Sequence, residues 1–430
     1  MEIPLILMIF SFLIFLLLGM PICWTLLVSC FLYLFSKGTI LPAVLPQRMI
    51  VHLDSFVLIS VPFFIYAAEV MNEGKITDRI FNFANQIVGH VRGGLAYVNI
   101  ISSVIFAGMS GSMTADIMGL GKIEIKAMVE AGYDRKFTAA ITAASAMVGP
   151  IIPPSIPLII YGSLAETSLS RLLVGGLIPG LLLAAYQATV VFYLSRRRNY
   201  PVSESKFECK KLFISLKSSW AALLTPIIVL GGIFSGVVTP TEAAVIASVY
   251  ATVMAIFLYR SIKSANTFFL CFKNTSLSTA QILIINALAA SFTWILTWER
   301  VPYRIVEFIV ASNLNATQFL LIFNLVILIL GCFLQGMAMI IMITPIIMPT
   351  VYALEIDPVH FGVMFVLCCT VGMLTPPFGV GLFAVSSISG VDIYELTVEL
   401  LPFIMISILA VMTIALFPSI VLFLPNLIFS

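Results

Sequence analysis

Long apolar stretches separated by short polar ones dominate the pattern along the chain. A helix needs about 20 apolar residues to cross roughly 30 Å of hydrocarbon, and in lipid a single segment satisfies its backbone only as a helix. The pattern therefore predicts membrane-spanning helices near residues 3–36 (a pair hinged at Gly19 and Pro21), 52–72, 137–165, 170–195, 218–236, 238–260, 275–297, 361–388 and 395–425.

Two further stretches, 94–120 and 317–350, are apolar but rich in Gly, Ser, Thr or Pro. Such segments are typical of re-entrant hairpins, whose irregular backbone lies beside protein or water. The predicted fold class is an all-α integral membrane protein with two re-entrant helical hairpins.

The sequence also resembles itself at one constant offset, called here the repeat offset, which carries position 149 onto position 372. The segment GPIIPP at 149–154 then falls on GMLTPP at 372–377. The same offset superposes further landmarks, namely Gly108 on Gly331, Asp134 on Asp357 and Pro179 on Pro402. We therefore expect a duplication, with a first repeat at 1–195, a basic linker at 196–217 and a second repeat at 218–430.

Basic residues indicate that the two repeats are inverted across the membrane. Residues 122–136 carry four Lys or Arg, whereas their counterparts at 345–359 carry none, and the linker is strongly basic. Since basic loops stay in the cytoplasm, the equivalent loops are expected on opposite sides. Inverted repeats with discontinuous helices are typical of secondary transporters.

Composition supports a lipid-embedded chain. The residues are 61% hydrophobic and 10% charged, and the mean hydropathy is +1.12, which excludes an ordinary soluble domain. Membrane lipid is therefore an expected partner and nucleic acid is not. The seven cysteines form no CxxC pair, and we expect no cofactor. No GxxxxGK[ST] phosphate loop occurs, so ATP is not expected to be the direct energy source.

The repeated proline segments carry the first candidate chemistry. Four prolines, at 150, 153, 154 and 157, remove backbone donors from one otherwise apolar segment, so a continuous helix is excluded there. The freed carbonyls, with the hydroxyls of Ser155 and of Thr375 in the second copy, are suitable ligands for a hard cation. A simple kink is the alternative, but the duplication favours a functional role.

The glycine-rich and serine-rich segments carry the rest. Ser110, Gly111 and Ser112 predict a hairpin tip where backbone approaches an ion or solute, and Gln335 and Gly336 form the second tip. Asp116 follows the first tip and is a candidate for ion coupling; Glu69 is expected at a membrane interface. The candidate solute contacts are Ser110, Ser112, Asp116, Ser155, Gln335 and Thr375.

Long motifs resemble a known family. They are GMSGSMTAD, KAMVEAGYDRKFTAAITAASAMVGPIIPPSIPLIIYG, GVVTPTEAAVIA and LEIDPVHFGVMFVLCCTVGMLTPPFGVGLF. They resemble the large membrane subunit (DctM-like) of tripartite ATP-independent periplasmic (TRAP) transporters, over essentially the whole chain.

The resemblance implies an elevator-type transporter of the bacterial inner membrane that imports a small organic acid with sodium ions. It implies two partners, a small four-helix membrane subunit and a periplasmic substrate-binding protein. It places one sodium ion among Ser110, Gly111, Ser112, Gly149 and Pro153, and another among Gln335, Gly336, Gly372, Thr375 and Pro376. Many relatives have an acidic residue where this chain has Gln335, so no particular acid is assigned.

Two other functions remain open at this point. A passive channel fits the hairpins but gives no reason for an external binding protein. Residues 108–111 also spell GxSG, the nucleophile context of rhomboid-like intramembrane proteases, which need a buried histidine base. The one HxxG segment, from His90 to Gly93, is polar and contains Arg92, so the protease reading is disfavoured.

Overall fold

Helices make up nearly all of the chain. The computed structural model describes residues 3–200, 208–262, 264–376 and 379–429. Part of the predicted linker, 201–207, and Pro377 of the second proline segment lie outside the described residues. Within the described ranges the protein has twenty α-helices, which confirms the all-α prediction.

The first ten helices cover residues 3–197. They are α1 (Ile3–Leu17), α2 (Ile22–Lys37), α3 (Val44–Leu53), α4 (Ser60–Glu73), α5 (Ile76–Val88), α6 (Gly94–Ser110), α7 (Met113–Glu130), α8 (Arg135–Ser145), α9 (Ile156–Leu164) and α10 (Leu169–Arg197).

The other ten cover residues 209–428. They are α11 (Cys209–Phe234), α12 (Pro240–Val253), α13 (Ala265–Trp298), α14 (Val301–Ala311), α15 (Ala316–Gly331), α16 (Gly336–Ala353), α17 (Pro358–Gly372), α18 (Val380–Ser389), α19 (Ile393–Leu416) and α20 (Ser419–Ile428).

Helix starts recur at the repeat offset found in the sequence. Moved by that offset, the starts of α6 to α10 fall within one residue of the starts of α15 to α19. Asp134 and Asp357 coincide because each caps the helix that follows it. The Asp134 carboxylate accepts from the Lys136 amide at 3.2 Å, and the Asp357 carboxylate accepts from the Val359 amide at 2.7 Å, satisfying amides left free at a helix start.

Seven helices among the described residues are long and apolar enough to cross a membrane. They include α10, α13 and α19, close to predicted spans, and also α16, which the sequence assigned to a re-entrant hairpin. The spans predicted at 137–165 and 361–388 are each interrupted, as α8–α9 and α17–α18. The pair predicted at Gly19 and Pro21 is present as α1 and α2.

Three helices were missing from the sequence prediction. These are α3, α5 and α14. Each is at most 13 residues long, and α5 places buried Ile76 and Ile80 opposite polar positions such as Asp78. A search for long apolar runs misses short amphipathic helices, because their apolar residues occupy one face only.

Helices distant in the sequence pack together. The α4 helix packs against α12 and α13, α7 against α18, and α9 against α16 and α17. Buried Tyr161 of α9 donates its hydroxyl to the Pro358 carbonyl at 2.8 Å. The two parts of the chain therefore form a common core, and the interrupted helices lie inside it.

Candidate functional site

The turn between α6 and α7 lies directly against the interruption between α8 and α9. Gly111 has φ +58°, and a Cβ added there would lie 2.1 Å from the Pro154 carbonyl oxygen. The Ile156 amide donates to the Gly111 carbonyl at 3.4 Å. Only glycine accepts this dihedral angle and this approach together, so backbone meets backbone at the first turn.

Ser112 and Gly149 extend the same contact. A Cβ on Gly149 would lie 3.2 Å from the Ser112 carbonyl oxygen. The Ser112 side chain begins α7, with its hydroxyl 3.0 Å from the Thr114 hydroxyl and 3.5 Å from the Ala115 amide. The buried Ser110 hydroxyl has no hydrogen-bond partner within the described structure. The first turn therefore carries polar atoms that form few hydrogen bonds within the described structure.

The interruption itself is fully buried. Residues 149–155 are all buried, and the Pro153–Pro154 peptide bond is cis. Ser155 begins α9: its hydroxyl accepts from the Leu158 amide at 3.1 Å and donates to the Pro150 carbonyl. The Ser155 side chain is therefore engaged in holding the interruption.

The second turn, between α15 and α16, also lies against an interrupted helix, but different residues make the contact. Gln335 precedes α16, and its side chain makes no capping hydrogen bond. A Cβ on Gly336 would lie 2.7 Å from the Met373 sulfur, and one on Gly331 would lie 2.6 Å from the Gly372 Cα. Glycines therefore let α15 and the start of α16 approach the end of α17.

Thr375 and Pro376 lie just beyond that contact. The Thr375 hydroxyl donates to the Val371 carbonyl at 3.0 Å, and its amide donates to the Gly372 carbonyl at 2.9 Å. The Gly381 amide donates to the Met373 carbonyl at 3.1 Å. The interruption after α17 is thus bridged by local hydrogen bonds.

One cavity of about 640 Å³ joins both turns. Its wall on one side includes residues 110–115 and 335–337, together with Pro150 and Thr370 near the two interruptions. The start of α2, one face of α4 and the middle of α13 form the other side. A volume of this size suits a small organic solute.

The structure separates the candidate residues of the sequence into two groups. Ser110, Gly111, Ser112, Gln335 and Gly336 line the cavity together. The remaining candidates are not among the lining residues, and they are Asp116, Gly149, Pro153, Ser155, Gly372, Thr375 and Pro376. Gly149 lies against Ser112 of the first turn, and Gly372 lies against Gly331 at the end of α15. Asp116 is buried in α7, with 2% of its surface exposed.

Polar lining residues outside the candidate set lie on both sides of the cavity, with Thr114 and Thr370 on the side of the two turns and the others on the opposite wall. Glu69 and Asn72 lie on α4, and Ser278 and Gln281 lie on α13. Glu69, which the sequence predicts at a membrane interface, is half-buried at the cavity and accepts from the Asn274 amide group at 3.4 Å. The available signal was the spacing of three residues within each pair, which puts two polar side chains on one face of an apolar helix.

The described lining of the cavity carries negative charge and no positive charge. Among the described lining residues Glu69 is the charged side chain, and none is Lys or Arg. Hydroxyls, amides and backbone groups form the rest of the polar surface. Such a surface offers oxygen ligands for a cation, and it offers no fixed positive charge for an anion.

Interrupted helices facing tight turns around one cavity, in an apolar helical protein, define a membrane transporter. Solved structures agree on the fold. The chain is similar to the Alcanivorax borkumensis YdaH transporter, with a TM-score of 0.67 at 12% identity over 88% of each chain. It is also similar to the Neisseria gonorrhoeae efflux pump MtrF, with a TM-score of 0.63 at 10% identity over 87% of this chain and 82% of that one.

Sequence relatives then identify the family. The family model described as the tripartite ATP-independent periplasmic transporter, DctM component, matches residues 9–420. The chain belongs to this family of TRAP transporter large permeases, as its motifs predicted. It is therefore a multi-pass membrane transporter subunit.

Individual relatives differ in the solute they are named for. The chain is 38% identical to the sialic acid large permease SiaM of Vibrio cholerae, over 95% of each chain. It is 37% identical to the sialic acid permease SiaT of Haemophilus influenzae, over 96% of this chain and 67% of that one. It is 35% identical to the C4-dicarboxylate large permease DctM of Pseudomonas aeruginosa, over 87% of each chain.

Proposed function

We propose that this chain imports a small organic acid across the bacterial inner membrane by sodium symport. It acts as the large subunit beside a small four-helix membrane subunit and a periplasmic substrate-binding protein. The observation that carries the proposal is that both turns, 110–112 and 335–336, line one and the same cavity. Named relatives that transport sialic acid or C4-dicarboxylates support an acidic solute.

The charge of the cavity supports coupling to a cation. A carboxylate solute entering this space meets Glu69 and no described Lys or Arg. Burying a carboxylate without a counter-charge is costly. Sodium ions bound near the two turns supply that counter-charge, so the ions and the acid stabilise each other's binding.

Two sodium sites are proposed from the contacts between turns and interruptions. The first comprises Ser110, Gly111, Ser112, Gly149 and Pro153, and the second comprises Gln335, Gly336, Gly372, Thr375 and Pro376. The unpartnered Ser110 hydroxyl and the close approach of Gly111 to Pro154 support the first site. The contact between Gly331 and Gly372 supports the second.

We further propose an elevator mechanism built from inverted repeats at 1–195 and 218–430. The recurrence of helix starts at the repeat offset supports the duplication. In this proposal α6–α9 and α15–α18 form the moving part. The wall formed by α2, α4 and α13 belongs to the fixed part, so movement carries the two turns and the solute along that wall.

Reconstituted uptake tests the proposal. Proteoliposomes containing the chain and its small subunit are supplied with a cognate binding protein and radiolabelled sialic acid or succinate. We expect accumulation above the external concentration only with an inward sodium gradient, because sodium entry supplies the free energy. Potassium replaces sodium in the control.

The same assay separates the alternatives. Downhill solute flux without sodium or binding protein would support a passive channel and contradict the proposal. The protease alternative requires a base beside Ser110, and no histidine is among the described cavity-lining residues. The relatives are named as transporter permeases, which gives that alternative no support.

Ser112→Ala is expected to raise the sodium concentration for half-maximal uptake about threefold to tenfold, the effect of losing one ligand worth about 1 kcal/mol. The matched control is Ser168→Ala, because Ser168 also caps a helix, accepting from the Arg171 amide at 3.4 Å. Equal sodium dependence in the two variants would show that Ser112 acts only as a helix cap.

A further inference from the structure

A buried polar cluster lies behind the first turn and outside the cavity. Its central residue is Glu124 of α7, with 1% of its surface exposed. The Glu124 carboxyl oxygen lies 2.6 Å from the Ser102 hydroxyl oxygen of α6. Neither residue lines the cavity, so transport as described above gives this carboxyl no role.

The hydrogen bonds around Ser102 bear on where a proton lies. The Ser102 hydroxyl oxygen is 2.7 Å from the Val98 carbonyl, 3.0 Å from the Asn99 carbonyl and 2.6 Å from Glu124. All three neighbours are acceptors if Glu124 is ionised, yet a serine hydroxyl has one hydrogen to donate. A protonated Glu124 resolves the conflict, since it donates to Ser102 while Ser102 donates to Val98.

Among the described residues, none supplies a positive charge beside Glu124. Asp116, earlier on α7, is the charged group that acts on Glu124 among the described residues. Both Asp116 carboxylate oxygens and the hydroxyl of Ser103, which faces Asp116, lack a hydrogen-bond partner in the described structure. Two buried carboxylates on one helix, with no cation described between them, are poorly stable when both are ionised.

Three charged residues on neighbouring helices have partners or positions away from Glu124. Arg79 of α5 stacks on Tyr259, and Lys136 of α8 pairs with Glu395 at 2.8 Å. Glu69 of α4 lies at the cavity. On α6 and α8 the cluster continues with neutral groups: Asn99 donates to the Thr142 hydroxyl at 2.8 Å and accepts from Ser145 at 2.6 Å.

The cluster exists in one half of the chain only. At the repeat offset its members are replaced by apolar residues: Asn99 by Ile322, Ser102 by Leu325, Ser103 by Val326, Asp116 by Met339, Glu124 by Ile347 and Thr142 by Phe365. The duplicated framework therefore folds without such a cluster. Its presence behind the first turn is an addition specific to the first half.

We propose that Glu124 is a proton-binding residue, protonated in this conformation, at a site separate from the two proposed sodium sites. The bound proton neutralises one of the two carboxyls packed between α6 and α7. Protonation of Glu124 leaves the Ser102 hydroxyl free to donate to the Val98 carbonyl. The polar cluster packed between α6, α7 and α8 then has a net charge of −1 at most.

Infrared spectroscopy of the purified full chain tests this assignment. A buried protonated carboxyl gives a carbonyl band distinct from that of a carboxylate, and the band shifts on exchange into D2O. We expect the band in the unmodified protein at neutral pH and its loss in Glu124→Gln. The glutamine keeps the shape and a donor for Ser102, so the thermal melting temperature should change little and confirm that the variant is folded.

Asp116→Asn is the matched control, because it removes the other carboxyl of the same cluster. The band is expected to remain in this variant. Absence of the band from the unmodified protein overturns the proposal. So does a band that survives in Glu124→Gln and disappears in Asp116→Asn, since that result places the proton on Asp116. A band abolished by added sodium also overturns it, by identifying the bound cation as sodium.

Discussion

Gly111→Ala is expected to reduce sodium-driven uptake at least about 100-fold, corresponding to about 2.8 kcal/mol. The added Cβ would lie 2.1 Å from the Pro154 carbonyl oxygen and 3.1 Å from the Ile156 amide nitrogen. Both atoms belong to the buried interruption between α8 and α9, so neither can move as a flexible side chain could. The turn must separate from the interruption, and the proposed first sodium site is lost with it.

Gly132→Ala provides the control for this prediction. Gly132 also has a positive φ, +86°, but a Cβ there meets no atom within 4 Å. Both substitutions carry the cost of a left-handed alanine, about 1–2 kcal/mol, and only Gly111→Ala adds a clash. We expect Gly132→Ala to retain uptake within about threefold, with initial rates divided by the amount of folded protein. Similar losses in both variants would show that backbone strain alone causes the effect.

Gly362→Ala is expected to lower the yield of folded protein at least about tenfold, measured by fluorescence-detected size exclusion in detergent. A Cβ at Gly362 of α17 would lie 2.1 Å from Cε1 of Tyr161 on α9. The Tyr161 ring is fully buried, and its hydroxyl is held by the Pro358 carbonyl. The ring therefore cannot move away, and the two interrupted helices cannot pack.

Two further variants isolate the cause. Gly231→Ala also changes a glycine within a helix, but a Cβ there meets nothing within 4 Å; we expect normal yield or a slight gain, since alanine favours helix. In a Tyr161→Ala background, already less stable by about 3–5 kcal/mol, the Gly362 change should have little additional effect. A full additional loss in that background would contradict the proposed clash.

The interrupted helices illustrate what local sequence can predict. Pro150, Pro153 and Pro154 together remove three backbone donors within five residues, so the break between α8 and α9 was predictable before any contact was known. The same applies to the second break. Ser110, Gly111 and Ser112 identified a turn for a similar reason, because a glycine among serines at the end of an apolar run favours a chain reversal.

The cavity, in contrast, could not be predicted from the local sequence. Glu69 and Gln281 lie far apart in the sequence, on α4 and α13, yet they line the same space as Ser112. Which faces of long helices meet depends on packing among many side chains. Neither the hydrophobic pattern nor the repeat contains that information, so the wall opposite the two turns was not predicted.

The sequence by itself determined the class of this protein, its membrane helices, its repeat offset, its interrupted helices and its family. These follow from composition, proline chemistry and long motifs, all of which act locally or repeat along the chain. The tertiary structure alone decided that five of the candidate residues share one cavity, that Asp116 lies behind it, and that Glu124 meets Ser102. Such contacts arise only when separate helices pack face to face, because burial and hydrogen bonding depend on the neighbour that each face finds.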